Sequence, residues 1–276
     1  MTEPVSTTRR HQQSVPPLQR RPLWKWLTSS HIWAPVTGIA ALLLVWQLAS
    51  GWLSAAILPP PADVASRLLE DLGSTMIWRD TGITLFNVLA SFLLSMIGGV
   101  LLGLLAARAD FLDRALHPLV VIVESAPTIA WLVLAILWLG QGGGPPILVG
   151  MSMALPLVFI ATSHGLRQID AGLLDMARVY RLSPLTRLRR ILLPSLALTL
   201  AGTASAALSV GWRGVIMAEA FSASQGLGPS LWGSYLYGEI NAVYAIILWI
   251  IFLGLVLEYG LIHPARRLIE RRLRHD

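Results

Sequence analysis

The chain has 276 residues, of which 55% are hydrophobic and 13% charged; its mean hydropathy of +0.64 exceeds what a soluble domain of this length needs for its core and places it in a bilayer. It contains no cysteine, which excludes disulfides, iron–sulfur clusters and thiolate zinc sites. The 21 Lys+Arg outnumber the 15 Asp+Glu, but they cluster beside apolar stretches, so the excess reads as membrane topology and not as a nucleic-acid surface.

Residues 1–22, basic and carrying Pro and Gln, read as a disordered cytoplasmic tail, leaving 23–276 as the membrane domain. With about 20 apolar residues per crossing as the yardstick, six spans follow, giving an all-α membrane fold: 32–57, 81–107, 118–139, 147–163, 195–218 and 242–262. The first apolar stretch is too long for a signal-peptide core and is expected to stay as a helix. Leu58-Pro59-Pro60-Pro61 ends it. Ala62 to Leu72 then places Val64, Leu68, Leu69 and Leu72 at near-helical spacing, as an amphipathic helix on the outer face does. The third span is read as one helix from Pro118 to Leu139, with Pro127 bending it. Gln141-Gly142-Gly143-Gly144-Pro145-Pro146 reads as a tight extramembrane turn. From Phe221 to Asn241 the chain is too polar to span and too apolar for a free loop, so it is read as a surface helix with a turn at Gly226 and Gly228, or as a segment dipping into the membrane.

Arginine placement orients these spans. With both termini inside, eighteen of the 21 basic residues are cytoplasmic, two (Arg67 and Arg79) are external and Arg213 lies within a span; the positive-inside rule favours this arrangement. The longest inner loop, 164–194, holds six arginines. Within it Leu173, Leu174 and Ala177 share one helical face, and Ser183-Pro184 reads as an N-cap followed by proline at the first helical position. Two short helices separated by a break result, able to fill a partner's groove while arginines meet its rim.

The same loop carries a resemblance. Asp175-Met176-Ala177, three residues, Arg181, nine residues, then Ile191-Leu192-Leu193-Pro194 resembles the cytoplasmic coupling loop of ABC importer permeases, whose frame is Glu-Ala-Ala, three residues, Gly, nine residues, Ile-x-Leu-Pro. Arg178, Leu182, Ser183 and Pro184 lie within that frame and Leu174 directly precedes it. Arg181 stands at the glycine position, so the bend is expected to differ or to move to Ser183-Pro184. Leu58-Pro59-Pro60-Pro61, Ala126-Pro127-Thr128-Ile129-Ala130-Trp131-Leu132, Gly211-Trp212, Ala218-Glu219 and Gly226-Leu227-Gly228 extend the likeness to the nitrate/sulfonate/taurine permeases.

That resemblance implies a type I ABC importer (MetI-like) transmembrane domain in a bacterial inner membrane. It also implies the partners: a second permease copy, two cytoplasmic ABC ATPase subunits using ATP and Mg, and an external solute-binding protein. The expected solute is a sulfonate, taurine or nitrate-like anion. The chain has no G-x-x-x-x-G-K-[ST] loop and no nucleophile–base–orienter set, so it reads as a transport subunit without cofactor, metal or catalytic residues. Ala177→Glu is expected to uncouple transport. For the solute pathway or gate the candidates are Glu124, Pro127, Trp131, Trp212, Arg213 and Glu219. Glu124 and Arg213 at membrane depth need a partner or water; they are read as setting selectivity in a shared cavity or as a structural ion pair, though at different depths. Glu219 is read as an outer-gate residue or as a brace for the Gly226-Leu227-Gly228 turn. The alternative reading, an ion-coupled secondary transporter, would show intramembrane carboxylates and inverted repeats, and no repeat is visible.

Overall fold

The computed structural model describes residues 30–262 and 264; the tail expected at 1–22 lies outside the described residues. By internal contacts the chain divides into two units, Met1–Trp52 and Leu53–Asp276. The first contributes α1 (Ser30–Trp52), a helix apolar all round whose described side chains are nearly all exposed, as suits a lipid-facing helix. It ends at Trp52, five residues before the expected limit of the first span, and a turn leads through Ile57 to the prolines.

In the second unit the elements are α2 (Pro61–Leu72), α3 (Thr75–Ala106), α4 (Asp110–Ser125), α5 (Thr128–Leu139), α6 (Gly144–Arg167), α7 (Ala171–Val179), α8 (Pro184–Arg187), a π-helical turn Leu188–Leu192, α9 (Leu193–Ser222), α10 (Leu227–Leu236), α11 (Ile240–Leu257) and a second π-helical turn, Glu258–Ile262. Helices α3, α6, α9 and α11 are each long and apolar enough to cross a bilayer. The expected third span is not one helix. It breaks between Ser125 and Thr128 into α4 and α5, whose axes differ by 99°, because Pro127 is extended (φ −58, ψ 142) and starts a new helix instead of bending an existing one. Gly144-Pro145-Pro146 is likewise helical, opening α6, since proline at the first positions lacks only an N–H that has no intrahelical partner; the turn is confined to 140–143.

The bundle is built around α6, which packs along both α3 and α9. On α3 the buried side is Asp80, Thr81, Thr84, Asn87, Val88, Ser91, Ser95, Gly99 and Gly103, while Phe86, Leu93, Leu94, Ile97 and Leu101 are exposed. The apolar side faces lipid and the small, polar side faces protein, because in hydrocarbon it is close packing and satisfied polar groups that hold helices together. A Cβ on Gly99 would lie 2.6 Å from the Val158 Cβ, and one on Gly103 2.5 Å from the Thr162 Cβ, so these two glycines, four apart, let α3 and α6 approach backbone to backbone.

Segments expected on one side of the membrane meet one another. Arg67 of α2 bonds Asp71 and, at 3.1 Å, Glu239, and Tyr244 donates to the Ile57 carbonyl. Burial works to lower the Arg67 pKa and the two carboxylates outweigh it, leaving it above its ordinary value. Val64 is fully buried and Leu68 and Leu72 join the core, whereas Leu69, expected on the same face, is exposed, being about 100° from Leu68 around the helix. At the other end Arg167 pairs with Asp113 at 2.6 Å, tying α6 to α4. The Phe221–Asn241 segment contains α10, entered through Gly226 at φ +121, with Trp232 packed on Phe221 and Tyr235.

Candidate functional site

The 164–194 loop projects beyond the end of α6 as two short helices. Helix α7 ends with Arg181 at φ +48, and the Leu182 amide bonds back to the Ala177 carbonyl at 3.0 Å; this is the six-to-one bond of a Schellman C-cap with its left-handed residue at 181. The bend therefore stays at the family's glycine position and does not move to Ser183-Pro184, and the arginine bears about 1–2 kcal/mol of left-handed strain. Ser183 then caps α8: its Oγ accepts from the Thr186 amide at 3.2 Å and meets the Thr186 hydroxyl at 2.8 Å.

Side-chain exposure divides the candidate docking residues. Met176 and Leu173 are exposed, as are Val179, Tyr180 and Leu185, whereas Ala177 is 4% and Ile191 7% exposed. Asp175, Arg181 and Ser183 are exposed; Leu182 and Pro194 are half-buried. The side chains of Leu174, Arg178, Pro184 and Leu193 lie outside the described ones. Ala177 is thus packed within the loop, and among the described side chains Leu173, Met176, Val179, Tyr180 and Leu185 carry its exposed apolar surface; of these the sequence singled out Leu173 and Met176.

At membrane depth the break in the third span is the main irregularity. Glu124 lies in the last turn of α4, Pro127 caps the start of α5, and both are exposed; Trp131 is half-buried and donates to the Val123 carbonyl at 3.2 Å, bracing the corner. Thr128 Oγ1 lies 3.6 Å from Met153 Sδ, and a Cβ on Gly214 would come within 2.7 Å of the same sulfur. Met153 thereby bridges the start of α5 and residue 214 of α9. Arg213 is exposed and donates to Ser209 Oγ at 3.0 Å; it forms no ion pair with Glu124. Trp212 points away from this region into the core with Leu208, Trp249 and Leu253.

Glu219 is fully buried. It accepts from Thr84 Oγ1 at 2.7 Å, from Asn87 Nδ2 at 2.8 Å and from the Gly228 amide at 3.3 Å, while Thr84 Oγ1 accepts from the Leu227 amide at 2.9 Å. The carboxylate thus joins α3, α9 and the start of α10, and a Cβ at Gly228 would sit 2.5 Å from its own Cβ. Sequence reasoning missed Thr84 and Asn87; their three-residue spacing on the polar stripe of an otherwise apolar helix was the available signal. Nearby, Asp80 accepts from Ser230 at 2.6 Å, and Trp249 donates to Thr81 at 2.9 Å.

Comparison with known proteins agrees with this architecture. Residues 99–274 match the family described as "Binding-protein-dependent transport system inner membrane component". The chain is similar to a putative aliphatic sulfonates transport permease protein, SsuC, of Escherichia coli K12, with 32% identity over 75% of this chain and 78% of the relative. It is also similar to a bicarbonate transport system permease protein, CmpB, of Synechocystis, with 28% identity over 95% of this chain and 96% of the relative. Among solved structures, a chain of the MetNI methionine ABC transporter in an inward-facing conformation superposes with a TM-score of 0.60, at 21% identity, over 72% of this chain and 96% of that one, a likeness of fold. The chain belongs to the binding-protein-dependent inner-membrane component family and is a permease subunit of an ABC importer, related to sulfonate, nitrate and taurine permeases.

Proposed function

We propose that this permease passes a small oxyanion, of the sulfonate, taurine or nitrate kind, from an external binding protein to the cytoplasm through a cavity shared by two copies of the chain. The observation that carries the reading is the broken third span. Irregular backbone at membrane depth is stable only where it is buried in protein or lines a water-filled space, and Glu124, Pro127 and Arg213 are all exposed there. An isolated arginine in hydrocarbon costs at least about 2.5 kcal/mol, a cost that water or a second copy removes. The start of α5, the positive end of its dipole, and Gly214, the neighbour of Arg213, both approach Met153, so an anion held between them meets two favourable charges. Glu124 repels a bare anion and attracts an ammonium, which suits a zwitterion such as taurine.

The relatives' names, an aliphatic sulfonate permease and a bicarbonate permease, support an oxyanion. ATP-driven closure of two ATPase subunits is the source of energy, transmitted through the 164–194 loop with Leu173, Met176, Val179 and Tyr180 in the ATPase groove. ATP and Mg belong to that partner. Both termini are cytoplasmic, residues 1–22 form a basic tail, and residues 23–276 form the permease domain. Uptake of labelled sulfonate, taurine and nitrate by vesicles carrying the complete importer tests the pathway: Arg213→Gln lowers uptake about tenfold or more, and Glu124→Gln shifts preference from taurine toward plain sulfonates. Full uptake with unchanged preference in both variants would discard the cavity assignment.

A further inference from the structure

A cavity of about 350 Å³ at the α4–α6 end of the bundle is lined by Asp113, Arg114, His117, Pro118, His164 and Arg167. Each helix contributes one arginine and one histidine three residues apart, Arg114 with His117 and His164 with Arg167, so both present a paired basic face to one space. The one acid among the described lining residues, Asp113, is already held by Arg167 at 2.6 Å and by Ser163 Oγ at 3.2 Å. Among the described residues Arg114 forms no ion pair, and it is exposed. Directly beneath lies an apolar floor of Ala106, Val120 and Phe159, with the His117 ring 6.4 Å from that of Phe159. Basic groups thus sit about one helical turn from apolar packing between α4 and α6, the arrangement a headgroup above acyl chains requires. On α4 itself Phe111, Leu119 and Ile122 are exposed and lie within about 80° of one another around the helix, bordering the face that carries Arg114 and Pro118.

We propose that this cavity is a binding site for the phosphate of an anionic phospholipid, with Arg114, His117 and His164 around the headgroup and the acyl chains along Phe111, Leu119 and Ile122. Basic pockets between membrane helices bind such headgroups. The continuous apolar strip beside the cavity favours a lipid over free phosphate, which would leave that strip without a role. Arg167 lies four positions before the start of α7, so a bound lipid rests at the foot of the loop proposed for ATPase coupling. The site does not depend on which solute is carried or on which side of the membrane the loop lies.

Delipidated full-length chain in phosphatidylcholine nanodiscs doped with phosphatidylglycerol provides the test, with bound lipid counted by native mass spectrometry. Phosphatidylglycerol is expected to be retained over phosphatidylcholine. Arg114→Gln lowers that retention about fivefold, His164→Gln lowers it as well, and Arg108→Gln, an exposed arginine at the same membrane edge outside the cavity, leaves it unchanged. Equal losses in all three variants would reduce the effect to general surface charge and overturn the site. Inorganic phosphate in phosphatidylcholine nanodiscs forms the second arm: protection of Arg114 from phenylglyoxal by phosphate, without selective lipid retention, would overturn the lipid occupant in favour of a soluble anion. Two variants at separate helices keep the result readable if one fails to fold.

Discussion

Arg181 and Glu219 each do locally what the sequence does not declare. At 181 the chain keeps a left-handed residue where relatives of this loop place glycine, and the strain is offset by the capped carbonyls of α7. Arg181→Gly is therefore expected to stabilise the loop by about 1 kcal/mol, read as slower hydrogen exchange over residues 171–187. At 219 the argument runs the other way. Glu219→Ala leaves Thr84, Asn87 and the Gly228 amide without their acceptor in a fully buried site, and unsatisfied buried donors cost about 1–3 kcal/mol each. A lowered melting temperature in detergent, accompanied by protease cleavage near residues 223–228, is the expected outcome; an unchanged melting curve would return Glu219 to a gating role without structural weight.

Among the elements, α7 and the α3–α6 pair are the most informative. Because Ala177 is buried within the chain, Ala177→Glu would damage the loop itself, and a loss of transport would not separate folding from docking. Tyr180→Asp and Val179→Asp act on exposed side chains and are expected to weaken copurification of the ATPase about tenfold or more, each buried apolar contact contributing about 1.5–3 kcal/mol, with membrane insertion unchanged. Between α3 and α6 the glycines at 99 and 103 leave no room for a side chain. Gly103→Val is expected to separate the two helices and cost about 1–3 kcal/mol or more, measured as a lowered melting temperature; the G-x-x-x-G spacing of these residues was a readable signal that hydropathy alone does not weigh.

For the whole molecule, sidedness is the property on which the coupling proposal rests. The absence of cysteine makes single-cysteine labelling direct: Arg187→Cys is expected to react with an impermeant maleimide from the cytoplasmic side only, and Glu70→Cys from the opposite side only. Hydropathy made the apolar stretches and the long basic loop legible, because transfer energies are summed along the chain and need no partner helix; of the six stretches read as spans, the described residues form four helices long and apolar enough to cross a bilayer, or five with the bent α4–α5 pair taken as one. Family membership was legible too, since the coupling-loop frame is a local spacing.

What the tertiary structure decided was which side of each helix is inside. In water the apolar face marks the core, whereas here the buried face of α3 is its polar and small one, because lipid offers apolar groups as good a solvent as protein does. Along the sequence Glu219 lies 135 positions from Thr84 and 132 from Asn87, and no local pattern links it to that pair. The break at Pro127 likewise required the packed bundle: proline in a membrane helix is compatible with a kink or an interruption, and Met153 and the Trp131–Val123 hydrogen bond settle it as an interruption. Local spacing determined what kind of molecule this is. Contact between distant helices determined where its polar groups meet.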